Sequence, residues 1–391
     1  MFDSVMHTYN RFPLTLEKGE GCRVWDDTGK KYLDFAAGIA VNTLGHAHPK
    51  LAAAIASQAG KLIHVSNYYW TKPLVDLADK LIAHSCFDRA FFCNSGAEAI
   101  EGAMKLARKY ASINHSGRFE IIAVKNSFHG RTFAAITATG QDKYKQGFDP
   151  LMPGILHADF NDFDSLVGIA GEKTCAVLLE PVQGEGGIHP CGAEYLKKVR
   201  QLCDERDYTL IFDEVQCGVG RTGRFFAHEL YGVCPDVVCM AKGLAGGVPI
   251  GAMLAKEKFA AAFAPGDHAS TFGGNPLATA AANVVVDELY DNGLLEHVQK
   301  VSEHLCGKLR VLKAAFPEMI TEIRGVGLLM GAEFAGPVAD IVSGCVENGL
   351  LVINAGANVL RFAPPLIVSE GEIDEGIRIL EKVLRGLSSL V

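Results

Sequence analysis

The chain has no run of basic residues, and its net charge is −8. A surface for nucleic acid needs clustered Lys and Arg, so nucleic acid is not an expected partner. Long apolar runs are also missing. The uncharged stretch beside its most isolated lysine, 243–255, is too short and too rich in glycine to span a bilayer. The opening residues, MFDSVMHTYNRFPLTLEKGE, lack an apolar core behind a positive start, which predicts no secretory leader. Eleven cysteines occur singly with no CxxC pair. That pattern predicts free thiols in a reducing cytosol, with neither a disulfide framework nor a metal site.

Several catalytic signatures are absent as well. "LIFDE" (210–214) has the look of a strand-plus-acid motif of a nucleotidase, but no G-x-x-x-x-G-K-[ST] loop accompanies it, which argues against a P-loop ATPase. "GVGRTG" (218–223) spells G-x-G-x-x-G, but "RTGRFF" does not open a helix and the run lies past the strand end, so a nicotinamide dehydrogenase has weak support. HExxH and GxSxG do not occur, which removes the main support for zincins and α/β-hydrolases. No internal repeat, low-complexity tract or long linker is present.

What is present is an alternation of short apolar runs with helical patterns. The runs are RAFFCN (89–94), EIIAVK (120–125), TCAVLLE (174–180), YTLIFDE (208–214) and DVVCMAK (236–242). Near-continuous Val, Ile, Leu and Phe predict strands buried on both faces, hence a mostly parallel sheet covered by helices. Ala97, Ile100, Met104 and Ala107 recur at helical spacing, as do Leu196, Val199, Leu202 and Cys203. The termini read differently. Residues 21–36 suggest a hairpin turning at Asp27-Thr28-Gly29. Beyond Asn275 a helical stripe runs through Leu294, Val298, Val301 and Leu305, and a capping box of Ser369 with Glu372 opens a last helix. The length exceeds one typical core. The expected division is an α/β domain over 56–274 and a smaller α+β domain from 1–55 and 275–391.

Each apolar run ends on a polar or glycine-rich group, and ligands of open α/β sheets bind beyond the carboxyl ends of strands. Ser95, Gly96 and Ala97 follow the first run. They form either a plain capping box, Ser95 with Glu98, or a phosphate site on a helix N-terminus. Asp213 ends a buried run, where an unpaired carboxylate is costly and calls for a cation. Lys242 ends another run among apolar and small residues. A lysine in an apolar pocket has a depressed pKa and can form an imine with a carbonyl. A lysine, an aspartate and a phosphate site are the set that a pyridoxal phosphate enzyme requires.

The stretch "IFDEVQCGVGRTGRFFAHELYGVCPDVVCMAKGLAGGVPIGAML" resembles the signature of class III pyridoxal phosphate-dependent aminotransferases. The likeness runs from "DDTGKKYLDFAAGIAVNTLGHAHP" to "LRFAPPL" and includes "FFCNSGAEA", "SFHGRT", "LEPVQGEGG" and "STFGGNPLA". The resemblance implies fold type I, a cytoplasmic homodimer with active sites at its interface, and pyridoxal 5'-phosphate as cofactor. It implies transfer of the δ-amino group of N2-acetylornithine to 2-oxoglutarate, giving a semialdehyde and glutamate in arginine biosynthesis; ornithine and succinylornithine are the alternative donors. By the same resemblance Lys242 carries the cofactor and Asp213 faces its pyridine nitrogen. Gln216 contacts its 3-oxygen and Phe128 stacks on its ring. Ser95, Gly96 and Ala97 hold the phosphate, with Thr271 reaching in from the other subunit. Arg131 binds the substrate's distal carboxylate, and Glu185 pairs with Arg361. Ile100 stands where the family pattern carries Asn.

Overall fold

The five apolar runs form strands at Arg89–Cys93, Glu120–Val124, Thr174–Leu179, Thr209–Asp213 and Val237–Met240. Two strands outside the predicted set, Ile155–Ala158 and Gly251–Ala255, complete a seven-stranded sheet in this computed structural model. The model describes residues 4–388; residues 1–3 and 389–391, the outermost parts of the two expected small-domain segments, lie outside the described residues. In sheet order the strands begin at 89, 251, 237, 209, 174, 120 and 155. Gly251–Ala255 is antiparallel to both neighbours, and the remaining pairs are parallel. The carboxyl ends of the five predicted strands therefore share one edge.

Burial explains why these runs read as continuous apolar stretches. All residues of Thr174–Leu179, Thr209–Asp213 and Val237–Met240 are buried. Alternate side chains serve opposite faces, as the pleat requires. Leu178, Ile211, Val237 and Cys239 pack with Ile100, Met104 and Ala107 of the helix Gly96–Asn114. Val177, Leu179, Leu210 and Phe212 face the other way, toward Leu196, Val199 and Cys203 of the helix Ala193–Arg206. Burying a large apolar side chain contributes about 1.5–3 kcal/mol, so a sheet covered on both sides holds its strand ends rigidly. Ile100, the departure from the family pattern, is one of these packed side chains and is fully buried.

The terminal segments build smaller sheets. Arg23–Asp26 and Lys31–Asp34 form the expected hairpin. Lys31–Asp34 pairs in parallel with Leu350–Leu351, so the two ends of the chain are joined in one sheet. Ile320–Val326, Leu329–Phe334, Val359–Phe362 and Ile353–Asn354 form another. The helix Glu370–Ser388 opens on the predicted box: Ser369 Oγ accepts from Glu372 N at 3.2 Å, and Glu372 Oε2 accepts from Ser369 N at 2.9 Å.

The cysteine reading needs correction at two positions. Cys86 and Cys234 are joined in a disulfide across 148 residues, while the other nine are free thiols. Each of the two precedes a strand, and those two strands flank Gly251–Ala255 in the sheet, so the segments before them meet across its end; no spacing in the sequence carries that proximity. Among the described residues no helix is long and apolar enough to cross a membrane.

Candidate active site

The strand ends enclose a cavity of about 430 Å³. Ser95, Gly96, Ala97, Phe128, Arg131, Asp213, Gln216 and Lys242, all predicted from sequence, line it. Thr271 does not: it lies exposed on a loop, next to the 61 % exposed Phe272.

Asp213 ends a fully buried strand and is itself 3 % exposed. Its Oδ1 accepts from Val215 N at 3.0 Å, and its Oδ2 pairs with His129 Nδ1 at 2.7 Å. His129 Nε2 is buried with no protein partner. A second acid, Glu180, lies beside it. Its Oε2 accepts from Phe128 N at 3.0 Å and its Oε1 from Gly184 N at 3.2 Å. Burial, and then the charge of Asp213, push the Glu180 carboxyl well above the ordinary carboxylate range.

Lys242 follows the strand Val237–Met240 and opens a short 3₁₀ turn, Lys242–Ala245. Among the described residues no hydrogen-bond acceptor pairs with its ammonium. Burial in particular pulls that ammonium below its ordinary value, with Arg361 adding to the effect and Glu185, Asp213 and Glu180 opposing it. A neutral, nucleophilic amine is thereby favoured.

At the far side the helix Gly96–Asn114 points its N-terminus into the cavity. Ser95 Oγ caps Glu98 N at 3.2 Å, but Glu98 does not return the bond to Ser95. Its Oε2 takes Asn94 N at 3.1 Å and Asn94 Nδ2 at 2.9 Å instead. The cap therefore leaves room for an anion, because first-turn amides have no intrahelical acceptor and the dipole favours negative charge. Gly96 is required there: a Cβ would lie 2.6 Å from Val215 Cγ1.

Two arginines stand at the cavity in different states: Arg131 lines it, whereas Arg361 and Glu185 do not and meet it through Gln216. Arg361 is 2 % exposed; its Nη1 donates to Glu185 Oε1 at 2.5 Å and to Gln216 Oε1 at 2.8 Å. Gln216 Nε2 closes the ring by donating to Glu185 Oε1 at 3.1 Å. Burial alone would raise the Glu185 carboxyl, but the Arg361 charge and hydrogen bond outweigh it and hold the group below its usual range. Arg131 has no carboxylate partner among the described residues. Its guanidinium lies 4.3 Å from the centroid of Tyr144 and 5.6 Å from that of Phe128.

These groups suit a flat, anionic aldehyde with a basic ring nitrogen. An amine meets the aldehyde, a carboxyl meets the nitrogen, helix amides meet the phosphate and an aromatic side chain meets the ring face. The fit rests on the buried, unpaired lysine and on the open helix N-terminus. His129, Glu180 and Val41 also line the cavity and were not singled out from sequence. The first two sit inside quoted motifs, "SFHGRT" and "LEPVQGEGG". Asp213, the partner of His129, lies 84 residues beyond it, and no local pattern links the two. "GVGRTG" serves packing: Arg221 is buried and donates to the carbonyls of Leu328 and Pro364.

A doubly wound sheet with this edge defines a fold type I, pyridoxal phosphate-dependent transferase. The family "Aminotransferase class-III" matches residues 4–384. The chain belongs to that family and is a pyridoxal phosphate-dependent aminotransferase. It is 53 % identical over 382 residues to an acetylornithine aminotransferase of Caldanaerobacter subterraneus subsp. tengcongensis, covering 97 % of each chain. Among solved structures, the N-acetylornithine aminotransferase of Stenotrophomonas maltophilia is 40 % identical with a TM-score of 0.85, covering 98 % of each chain. The ornithine aminotransferase of Toxoplasma gondii is 33 % identical with a TM-score of 0.95, covering 100 % of this chain and 94 % of that one. The less identical structure superposes better, so backbone shape does not separate the two amino donors.

Proposed function

We propose that this enzyme exchanges the δ-amino group of N2-acetylornithine with 2-oxoglutarate, yielding N-acetylglutamate 5-semialdehyde and glutamate in arginine biosynthesis. One observation carries the choice of substrates: a single cavity is flanked by a free arginine, Arg131, and by an arginine neutralised in place, Arg361 with Glu185. Acetylornithine presents one carboxylate, which Arg131 receives bidentately. Glutamate presents two, and the second needs Arg361. With acetylornithine bound, an unpaired Arg361 would be a costly buried charge, and Glu185 covers it.

Bound pyridoxal phosphate supplies an electron sink for the carbon that loses its proton. Ser95, Gly96 and Ala97 would hold its phosphate, Phe128 its ring face, Gln216 its 3-oxygen and Asp213 its ring nitrogen. Lys242, whose ammonium burial pulls below its ordinary value, would carry the proton taken from the substrate. His129 orients Asp213 from behind. Sequence identity to acetylornithine enzymes supports the donor.

The reading extends to assembly. Thr271 would reach the partner subunit's phosphate site in a homodimer; the loop exposure and the exposed Tyr68 and Trp70, 90 % and 87 %, support a surface that needs covering. We read 56–274 as the large domain, 1–55 and 275–391 as the small one, and the enzyme as cytoplasmic. Single-turnover absorbance with each donor tests the function. Acetylornithine should react faster, per unit concentration, than ornithine or succinylornithine. Faster reaction of either rival reassigns the donor.

A further inference from the structure

Lys242 has a backbone φ of +41°, a left-handed conformation that a lysine enters only at a cost. Something must hold it there. The turn's own bonds are few: Leu244 N reaches Ala241 O at 3.0 Å, and the Gly243 carbonyl receives Gly246 N only at 3.3 Å. The short bond comes from elsewhere in the chain. Thr43 Oγ1 donates to Gly243 O at 2.7 Å, across 200 residues, while its alternative acceptor, Val41 O, lies at 3.5 Å. Thr43 is 1 % exposed and is pinned on both sides: its N donates to Val41 O at 2.9 Å, and its O accepts from Leu366 N at 2.9 Å.

Thr43 closes a second strained segment. Ala37, Gly38, Ile39 and Ala40 all have positive φ, at 46°, 63°, 68° and 59°. The turn is fastened by Asp34 Oδ1, which accepts from Ala36 N and Ala37 N at 3.0 and 2.8 Å. It delivers Val41 to the cavity wall and Thr43 to the lysine turn. Gly243 is shaped to the hydroxyl. A Cβ there would lie 2.7 Å from Thr43 Oγ1, with its next neighbour, Val219 Cβ, at 3.5 Å.

We propose that Thr43 is a positioning residue for Lys242: its hydroxyl, through the Gly243 carbonyl, holds the lysine backbone in the left-handed conformation that aims the amine into the cavity. This rests on the reading of Lys242 as the cofactor-bearing residue. Thr43 is not among the residues lining the cavity, so it acts through the turn. Loss of the hydroxyl leaves Gly243 O its second donor, Gly246 N, and the variant therefore keeps its fold.

The test is an absorbance titration of cofactor-free protein with pyridoxal phosphate, alongside melting of the cofactor-free forms. Thr43→Val should weaken cofactor binding about three- to tenfold, the worth of one hydrogen bond. It should alter the visible band, while cofactor-free melting stays within a few degrees of the parent. Thr43→Ser should restore binding to within about twofold. Gly243→Ala should mimic Thr43→Val, and adding Thr43→Ala to it should cost nothing more, because the two changes break one contact. If Thr43→Val fails to fold, the Gly243 pair decides. Thr43→Val with the parent's affinity and band overturns the proposal, as does Thr43→Ser no better than Val, or full additivity in the Gly243 pair. Borohydride trapping followed by peptide mapping of the parent separates the two readings. A label away from Lys242 removes the lysine assignment and this proposal with it, whereas a label on Lys242 with an unperturbed Thr43→Val removes this proposal alone.

Discussion

The floor and the rim of the cavity hold their charges by different means. On the floor, Asp213 and Glu180 are tied to backbone amides, those of Val215, Phe128 and Gly184. On the rim, Glu185, Arg361 and Gln216 hold chiefly one another, and Arg131 rests on two aromatic faces. A carboxyl bonded to backbone cannot change partner without moving a strand end. A side chain bonded to a side chain can rotate away. The floor is built for groups that must stay put throughout a cycle, and the rim for groups that must serve two substrates of different charge.

Removing floor groups should therefore cost both half-reactions alike, and the largest loss belongs to Lys242. Lys242→Ala should lower turnover by at least about 10²–10⁴-fold, the worth of a positioned proton carrier. Retained phosphate contacts should still permit cofactor uptake, read by fluorescence. Near-normal turnover would dissolve the distinction between floor and rim.

Asp213→Asn comes next. The amide keeps an acceptor for Val215 N but loses the charge, and it presents an N–H or a carbonyl to His129. Slowing of proton removal by about 10²–10³-fold is expected, in both directions, with smaller changes in binding. Stopped-flow traces with deuterated substrates would report it. Equal losses in affinity and rate would make Asp213 a positioning group only.

A rim change should split the half-reactions. Glu185→Gln frees Arg361, so glutamate should bind up to about tenfold tighter, while the acetylornithine half-reaction weakens. Separate single turnovers give the two constants. Slowing of both by one factor would place Glu185 with the floor.

The smallest effect sharpens the floor itself. Burial, and then the Asp213 charge, raise Glu180 above its ordinary range, so the folded chain retains a proton that the unfolded chain releases. The folded state binds more protons, and stability falls as pH rises above the ordinary carboxylate range. Melting of cofactor-free protein should thus drop more between about pH 5 and about pH 8 in the parent than in Glu180→Gln, by about 1–2 °C for each kcal/mol of penalty. The slope is the readout, since Gln also loses an acceptor. Parallel curves would show that Glu180 carries no such proton.

The sequence by itself determined the sheet, its polar edge and most of the groups on it. Buried parallel strands must be continuous in Val, Ile, Leu and Phe, and a polar residue closing such a run has nowhere to sit but the edge. That is why Ser95, Asp213 and Lys242 were legible, whereas Phe128, Arg131 and Gln216 came from motif resemblance. Motif resemblance added Glu185 and Arg361, whose pairing spans 176 residues. Only the tertiary structure decided the partners that no local period encodes. The strands Ile155–Ala158 and Gly251–Ala255 hold one β-branched residue between them, Ile155, so neither stands out as a strand. His129 reaches Asp213 because two strand ends converge, Cys86 meets Cys234 because the segments before two strands meet across the strand between them, and Thr43 reaches Gly243 because both chain ends fold back over the sheet. Side-chain periodicity records which face is buried. It holds no record of what lies across the interface, because that neighbour is set by how the chain crosses over in space.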